Sequence, residues 1–538
     1  MTRSLPGILC LFVTVAFAQA PAAQGGASQP ADSRLCRLEG KLVNSLTGEP
    51  IRRGNLSLSP NAQVAPFNAA QRMTAQSDAE GVFVFENIEP GTYQLMAERT
   101  GFVRQAYSAR SNPFSGTPIT LAPGQRLKGL EFKLTPQTAI TGTVIDEEGE
   151  PIPEVMVFAT NRFGVMTGPG FGRTNDRGEF RLANLNPGTY SVLARPMRRP
   201  ETDSTETYVW TYYPGVTDPG QAVSIEVAAG RDTTGIVIPM QKARVYRISG
   251  KIIGTDNPSP QLQVALVPRR RAGASAGRQT FGGLAKPDGT FELRAIPGEY
   301  DLAVFRSFDQ RPVQLAGIPI NLGMEDLENV VVSCQQPVVL TGSIRVDGES
   351  DANFQQIELS LRPAGNSFVP PASIDKDGSF KFDGVSRDLM YFMFRGMPRG
   401  HYARAVMFGS QDVLDSGLDL TSAGESVSVE IILSPKAAAI SGAITDGEKP
   451  IPGVHAYLKP EPLTDNNIHR YVQATTDQNG QFSMENIIPG EYKIFAAEEP
   501  VPSPRIDSDA LKAFLSGAKS ISIRESAREV IELKLPKP

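Results

Sequence analysis

Five times along this chain a glycine stands with an apolar residue two positions before it and another two positions after it. The copies are Leu38-Glu39-Gly40-Lys41-Leu42, Ile140-Thr141-Gly142-Thr143-Val144, Ile248-Ser249-Gly250-Lys251-Ile252, Leu340-Thr341-Gly342-Ser343-Ile344 and Ile440-Ser441-Gly442-Ala443-Ile444. Successive glycines lie 102, 108, 92 and 100 residues apart. Self-similarity at a fixed spacing dictates architecture before any local signal does. A spacing near 100 is too long for a solenoid unit and fits one small β-sandwich. The 538 residues therefore read as five beads in series, where length alone would give three or four domains.

Alternation with period two sets the faces of this opening strand. The flanking apolar residues share the glycine's side, which is the core side. Lys41, Thr143, Lys251, Ser343 and Ala443 point the other way. Mid-bead comes a turn followed by x-Phe-x-apolar: Asp78-Ala79-Glu80-Gly81-Val82-Phe83, Asp176-Arg177-Gly178-Glu179-Phe180, Asp288-Gly289-Thr290-Phe291, Asp377-Gly378-Ser379-Phe380 and Asn479-Gly480-Gln481-Phe482. Asp-Gly and Asn-Gly predict a tight hairpin with both central residues at positive φ. A second signal follows, Pro90-Gly91-Thr92-Tyr93, Pro187-Gly188-Thr189-Tyr190, Pro297-Gly298-Glu299-Tyr300 and Pro489-Gly490-Glu491-Tyr492. Pro-Gly predicts a type II turn. The buried tyrosine needs a partner for its hydroxyl, which predicts a bond to backbone near the turn, as in a tyrosine corner. The fourth copy departs, with Arg387-Asp388-Leu389-Met390-Tyr391 and then Pro398-Arg399-Gly400-His401-Tyr402, and its hairpin is expected to be reshaped. Turns at the end of the opening strand carry Gly48-Glu49-Pro50-Ile51, Gly149-Glu150-Pro151-Ile152-Pro153 and Glu448-Lys449-Pro450-Ile451-Pro452-Gly453.

The boundaries that follow are a signal peptide at 1–18, a flexible leader at 19–33, and sandwiches at 34–136, 137–243, 244–336, 337–436 (degenerate) and 437–538. Linkers are short, which predicts an elongated, semi-rigid rod. One helix is expected, from Asp507 to Lys519, with Leu511, Phe514, Leu515 and Ala518 on the side that packs against its own bead.

At the N-terminus, Arg3 precedes the apolar run Ile8–Phe17, too short to span a bilayer, and Ala16-Phe17-Ala18 is a small-x-small cleavage pattern. The chain is expected to be exported, to the periplasm, the outer cell surface or beyond. No later stretch is apolar enough to cross a membrane. Beyond Cys10 of the signal, the cysteines are Cys36 and Cys334, read as isolated small hydrophobic side chains. A net charge of −5 argues against nucleic acid as a partner. The basic run Arg269-Arg270-Arg271 sits beside a Gly/Ala/Ser stretch and reads as a solvated loop. With 50 glycines and 43 prolines the chain is turn-rich, below the content that marks disorder.

The whole register resembles the carboxypeptidase regulatory-like domain, a transthyretin-like sandwich of the carbohydrate-binding-like fold group. The resemblance is strong in copies one, two and five, fair in three and weak in four. It implies an all-β chain of five tandem transthyretin-like (prealbumin-like) β-sandwiches, and domains that are typically non-catalytic attachments on secreted proteins. The related collagen-adhesin B-type domains carry a Lys–Asn isopeptide staple, which needs a core-facing lysine. Lys41 and Lys251 are one residue out of phase for it.

Little in the sequence carries chemistry. The histidines are His401, His455 and His469, and no metalloprotease, hydrolase-elbow, phosphate-loop or Cys-x-x-Cys motif is present, so neither catalysis nor a cofactor is expected. Asp375-Lys376-Asp377-Gly378 and Asp477-Gln478-Asn479-Gly480 echo the start of a calcium loop but have Ser386 and Ile488 where the closing glutamate belongs. The sharpest binding candidate is Thr207–Pro214, which holds the single tryptophan. Read as one strand it places Tyr208, Trp210 and Tyr212 on one face, suited to stacking on a sugar or a partner; packed inward, the same face caps bead two. The sequence thus reads as an exported structural or interaction protein, an adhesin or scaffold, with polysaccharide or envelope proteins as partners. Carbohydrate binding around Trp210 is the alternative.

Overall fold

The computed structural model describes residues 34–535 apart from 62–71, 111–112, 161–165, 198–204, 256–261, 270–278, 309–310, 349–351, 365–368, 370, 465–466, 499, 502–514 and 516. The expected signal peptide and leader lie outside the described residues, as does most of the expected helix. The described end of that helix differs from expectation: Lys519 opens a strand, Lys519–Ile523. Leu515 and Ala518 do pack on their own domain, against Tyr457, Phe495 and Val501.

The chain is all-β, and the described residues form a main apolar core in each of the five repeats, with a smaller separate cluster around Tyr457 and Phe495 in the fifth. In every repeat the opening strand is the middle of a sheet. Cys36–Asn44 pairs antiparallel with Val82–Ile88 and parallel with Arg126–Leu134. The same arrangement recurs around Thr138–Ile145, Tyr246–Ile253, Val338–Val346 and Ala438–Thr445. Each opening glycine faces the motif phenylalanine across the antiparallel pair: Gly40↔Phe83, Gly142↔Phe180, Gly250↔Phe291, Gly342↔Phe380 and Gly442↔Phe482. The reason is space. A Cβ on Gly40 would stand 2.5 Å from both Phe83 Cζ and Leu130 O. The glycine is therefore the seat of the aromatic ring, and the apolar residues two before and two after it are buried in all five copies. Lys41 and Lys251 are exposed, so neither is placed for a core staple.

A second sheet closes the sandwich, led by the strand after Pro-Gly. Gly91–Glu98 pairs with Asn55–Pro60, Gln105–Ala106 and Ile119–Leu121. The tyrosine hydroxyl donates to the carbonyl four residues back in four copies: Tyr93 to Glu89 (2.7 Å), Tyr190 to Asn186 (3.0 Å), Tyr300 to Ile296 (2.9 Å) and Tyr492 to Ile488 (2.6 Å). The fourth copy replaces this corner. The Arg387 guanidinium donates to Gln336 O (2.8 Å) and to Ala423 O, and Arg362 stacks on Tyr391 at 4.2 Å. Its extra Pro-Arg-Gly-His-Tyr segment opens Tyr402–Phe408, which joins the first sheet beside Ser426–Ser434.

Two turn assignments are corrected. The mid-bead hairpins have positive φ at the glycine alone, as at Gly81 (φ 78°) and Gly480 (φ 73°), because each is a type I turn closed by a left-handed residue. A side chain at the turn's start supports it: Asp78 Oδ1 accepts from Glu80 N (3.1 Å) and Val82 N (2.7 Å). The Pro-Gly segments are not type II turns, since none of their glycines lies near +80°. The left-handed residues fall three positions earlier, at Asn87, Asn184 and Asn486, and at Gly384 in copy four. There the sheet register slips by one residue. Asparagine tolerates this conformation, and it marks a bulge that recurs in copies one, two and five. Copy three has Ala295 in that stretch and keeps an unbroken register.

The domains follow one another after a few residues and are hydrogen-bonded at the junctions. Between the first and second, Gln137 N donates to Gly101 O (3.0 Å) and Gln137 Nε2 donates to Phe102 O (3.0 Å). Between the fourth and fifth, Gly400 N donates to Asn486 Oδ1 (2.8 Å), Arg399 pairs with Glu485 (2.9 Å), and Arg470 pairs with Asp415 (2.6 Å). The elongated rod is corrected too. A rod holds its first and last domains apart, whereas here Thr120 of the first is bonded to Gln478 of the fifth and Arg110 to Glu498. The series turns back on itself.

Candidate functional site

The predicted single strand over the aromatic segment is two short strands in different sheets. Glu206–Tyr208 pairs with Lys242–Arg244, the segment that leads into the third sandwich. Thr211–Tyr212 pairs with Gly188–Arg195 of the second. Between them the chain turns, held by Val209 N to Gln241 O (2.9 Å) and by the buried Thr211 hydroxyl, which donates to Val209 O (2.9 Å) and accepts from Gln241 N (3.1 Å).

This break separates the three aromatics. Tyr212 is buried, 4% exposed, and burial pushes its hydroxyl above the usual phenol pKa. Tyr208 is half-buried against the second core, with Lys242 Nζ 5.1 Å from its ring centre. Lys242 also pairs with Glu147, which raises the ammonium to about 12 and lowers the carboxylate. Neither tyrosine offers a free ring face beside the tryptophan, so a three-ring platform does not form.

Of the three aromatics, Trp210 alone lines an open cleft. It stands half-buried at the junction of sandwiches two and three, with Arg195 Cζ 5.1 Å from its ring centre and its backbone N–H 3.3 Å from Gln279 Oε1. An open cleft of about 760 Å³ runs past it, lined by Arg195, Met197 and Trp210 on one side and by Phe281, Lys286, Glu292 and Arg294 on the other. The basic groups outnumber the acidic one. Arg195 and Gln279 were not singled out from sequence. Strand alternation could have placed Arg195 on the outward face of Gly188–Arg195, but nothing in the sequence brings Gln279 across from the next domain.

The other candidates have ordinary structural partners. Asp377 Oδ1 accepts from Ser379 N (2.9 Å) and Oγ (2.7 Å), and Asp477 Oδ1 accepts from Asn479 N (2.8 Å) and Gln481 N (3.0 Å). These are the bonds of a turn. Among the described residues no three His, Cys, Asp or Glu side chains gather as metal ligands. His455 Nδ1 lies 3.1 Å from Thr475 Oγ1 in a buried strand, and His469 faces Asp415 across the fourth–fifth junction. Cys36 and Cys334 are buried and unbridged, and burial pushes the Cys334 thiol up to about 11. No helix of the described residues is long and apolar enough to cross a membrane.

The recurring glycine seat and tyrosine corner define one domain type. The carboxypeptidase regulatory-like domain family matches residues 37–135 and 139–235. The first two sandwiches are carboxypeptidase regulatory-like domains. Human BOS complex subunit NOMO3 is 24% identical over 270 residues, 47% of this chain and 21% of that protein. Mouse BOS complex subunit NOMO1 is 24% identical over 277 residues, again 47% and 21%. The chain thus matches about a fifth of the length of these relatives. Among solved structures, the minor pilin GBS52 of Streptococcus agalactiae overlays with a TM-score of 0.23 at 13% identity, covering 39% of this chain and 96% of the pilin. A streptococcal ancillary pilin overlays with a TM-score of 0.19 at 14% identity, covering 56% and 98%. Outside the two matched segments, the fifth sandwich repeats the carboxypeptidase regulatory-like sheet register residue for residue at Gly442, Phe482 and Tyr492.

Proposed function

We propose that this is an exported, non-catalytic structural or interaction protein, a scaffold or adhesin, at the cell envelope or outside it. The observation that carries the reading is the repetition itself. Five cores are built on the same glycine-and-phenylalanine seat, and an Asp or Asn side chain in each mid-domain turn is engaged in holding that turn. Such a chain sets the distance and orientation between its surfaces.

A second reading has one observation behind it. Trp210 and its basic cleft suit a polysaccharide with acidic groups, the ring stacking on a sugar face and Arg195, Lys286 or Arg294 meeting carboxylates. A panel of neutral and acidic polysaccharides, read through the fluorescence of the single tryptophan and by pull-down, separates the two. Absence of saturable binding supports the scaffold. A saturable acidic hit abolished by Trp210→Ala overturns it in favour of carbohydrate recognition, and turnover of any panel member overturns the non-catalytic assignment.

A further inference from the structure

Gln478 sits at the tip of the fifth sandwich's mid-domain hairpin, and its carboxamide meets one residue of the first sandwich in both directions. Thr120 N donates to Gln478 Oε1 at 2.8 Å, and Gln478 Nε2 donates to Thr120 O at 2.8 Å. Thr120 is the middle of Ile119–Leu121, which pairs along one side with Gly91–Glu98. The backbone groups of Thr120 point to the other side, an open sheet edge. A primary carboxamide with one donor and one acceptor in this geometry copies the hydrogen bonding of one added strand residue. Two more contacts fix the orientation. Arg110 Nη1 pairs with Glu498 Oε1 at 2.8 Å, and Gly453 lies so close to Thr117 that a Cβ there would stand 2.5 Å from Thr117 Oγ1.

The joint is polar and its ion pair is well exposed, at 38% and 60%. Among the described residues no apolar cluster spans it, and an exposed ion pair adds at most about 1 kcal/mol to its closure. The two surfaces are complementary and belong to different domains. Such a heterologous contact is satisfied equally within one copy or between copies, head to tail. We propose that the clasp between the first and fifth sandwiches is an exchangeable self-association contact. One copy closes on itself when dilute. As concentration rises, the Thr120 edge of one copy receives Gln478 of a second, giving chains or larger rings. Local concentration within one copy sets the crossover. The proposal stands on this contact and goes beyond what the sandwiches otherwise bind.

The test uses the whole chain in a Cys10→Ser background, where Cys36 and Cys334 are buried. Arg110→Cys and Glu498→Cys are made separately and together, and treated with a bismaleimide cross-linker. The double variant at low concentration is expected to give a cross-linked monomer. A mixture of the two single variants is expected to give a mixed dimer whose yield rises with protein concentration. Adding Gln478→Ala or Gln478→Glu is expected to cut both yields about fivefold or more, by removing or repelling the paired hydrogen bonds, with unchanged circular dichroism. Absence of the cross-linked monomer overturns the closed form. Absence of the mixed dimer at every concentration, or a yield indifferent to both Gln478 variants, overturns the exchange.

Discussion

Single residues carry this fold at two places, the opening glycine and the corner tyrosine. A Cβ on Gly442 would fall inside contact distance of Ile531 O, a backbone atom that cannot rotate away. Gly442→Ala is expected to lower the stability of the fifth domain by about 2 kcal/mol or more, whereas Gly323→Ala, with open space around it, changes little. Urea titrations of the two variants check this. Tyr492→Phe removes one hydrogen bond, to Ile488 O, and is expected to cost about 1 kcal/mol. Acid has a predictable direction as well. Hydrogen bonds from Lys449 and Glu448 N hold Asp446 below the ordinary carboxylate pKa, and Ser379 does the same for Asp377. A lowered folded pKa contributes stability above the unfolded value of about 4, which is lost as pH falls through the folded one. Melting temperature is expected to drop below pH 4, and to drop less in Asp446→Asn/Asp377→Asn. Both structural residues were legible in sequence, because a glycine between two core positions and a tyrosine after Pro-Gly have few physical uses. The Trp210 neighbourhood was only half legible. Alternation put Tyr208, Trp210 and Tyr212 on one face, and the inward turn of Val209 broke that face apart.

At the scale of elements, hairpins and bulges show what sequence chemistry leaves open. Asp-Gly fits a turn with two left-handed residues and equally a type I turn closed by glycine. The acceptor at the turn's first position decides, and in copies one and five it is Asp78 and Asp477, each bonded two and four residues on. The bulge before Pro-Gly was not foreseen, since Asn87, Asn184 and Asn486 lie inside strand-like sequence. Asn486 does two jobs. It takes φ 56° in the bulge, and its amide spans the fourth–fifth junction, accepting from Gly400 N and donating to Met397 O (3.1 Å). Asn486→Gly keeps the backbone geometry and loses only the junction bonds. It is expected to leave the fifth domain's stability within about 0.5 kcal/mol while speeding hydrogen exchange at Gly400. Asn486→Val adds strain at a left-handed position and is expected to cost more than 1 kcal/mol. Equal melting of the two variants would refute the division of labour.

At the scale of the molecule, short linkers were legible and the path they trace was not. Linker length limits rotation between neighbours, but direction is set by junction contacts such as Arg399–Glu485 and Asp415–Arg470, pairs of residues 86 and 55 positions apart that no local pattern joins. The bends at the four junctions add up, and they bring Thr120 to Gln478 across 358 residues. The weak joint therefore depends on the stiffness of the others. Each exposed ion pair at the fourth–fifth junction is worth at most about 1 kcal/mol, so Arg399→Ala/Asp415→Ala is expected to leave the domains folded, with melting close to that of the parent chain. Its effect falls on closure, because a freer junction spreads the fifth sandwich over a larger volume and lowers its local concentration at the Thr120 edge. Small-angle scattering is expected to show a larger maximum dimension for this double variant, approaching that of Gln478→Ala, although the substituted residues lie in neither clasping surface. A scattering profile unchanged from the parent would mean that the Gln478 clasp holds without the junction, and that the curvature of the series resides in the backbone link Ala437 N to Gly400 O (2.9 Å) rather than in its side chains.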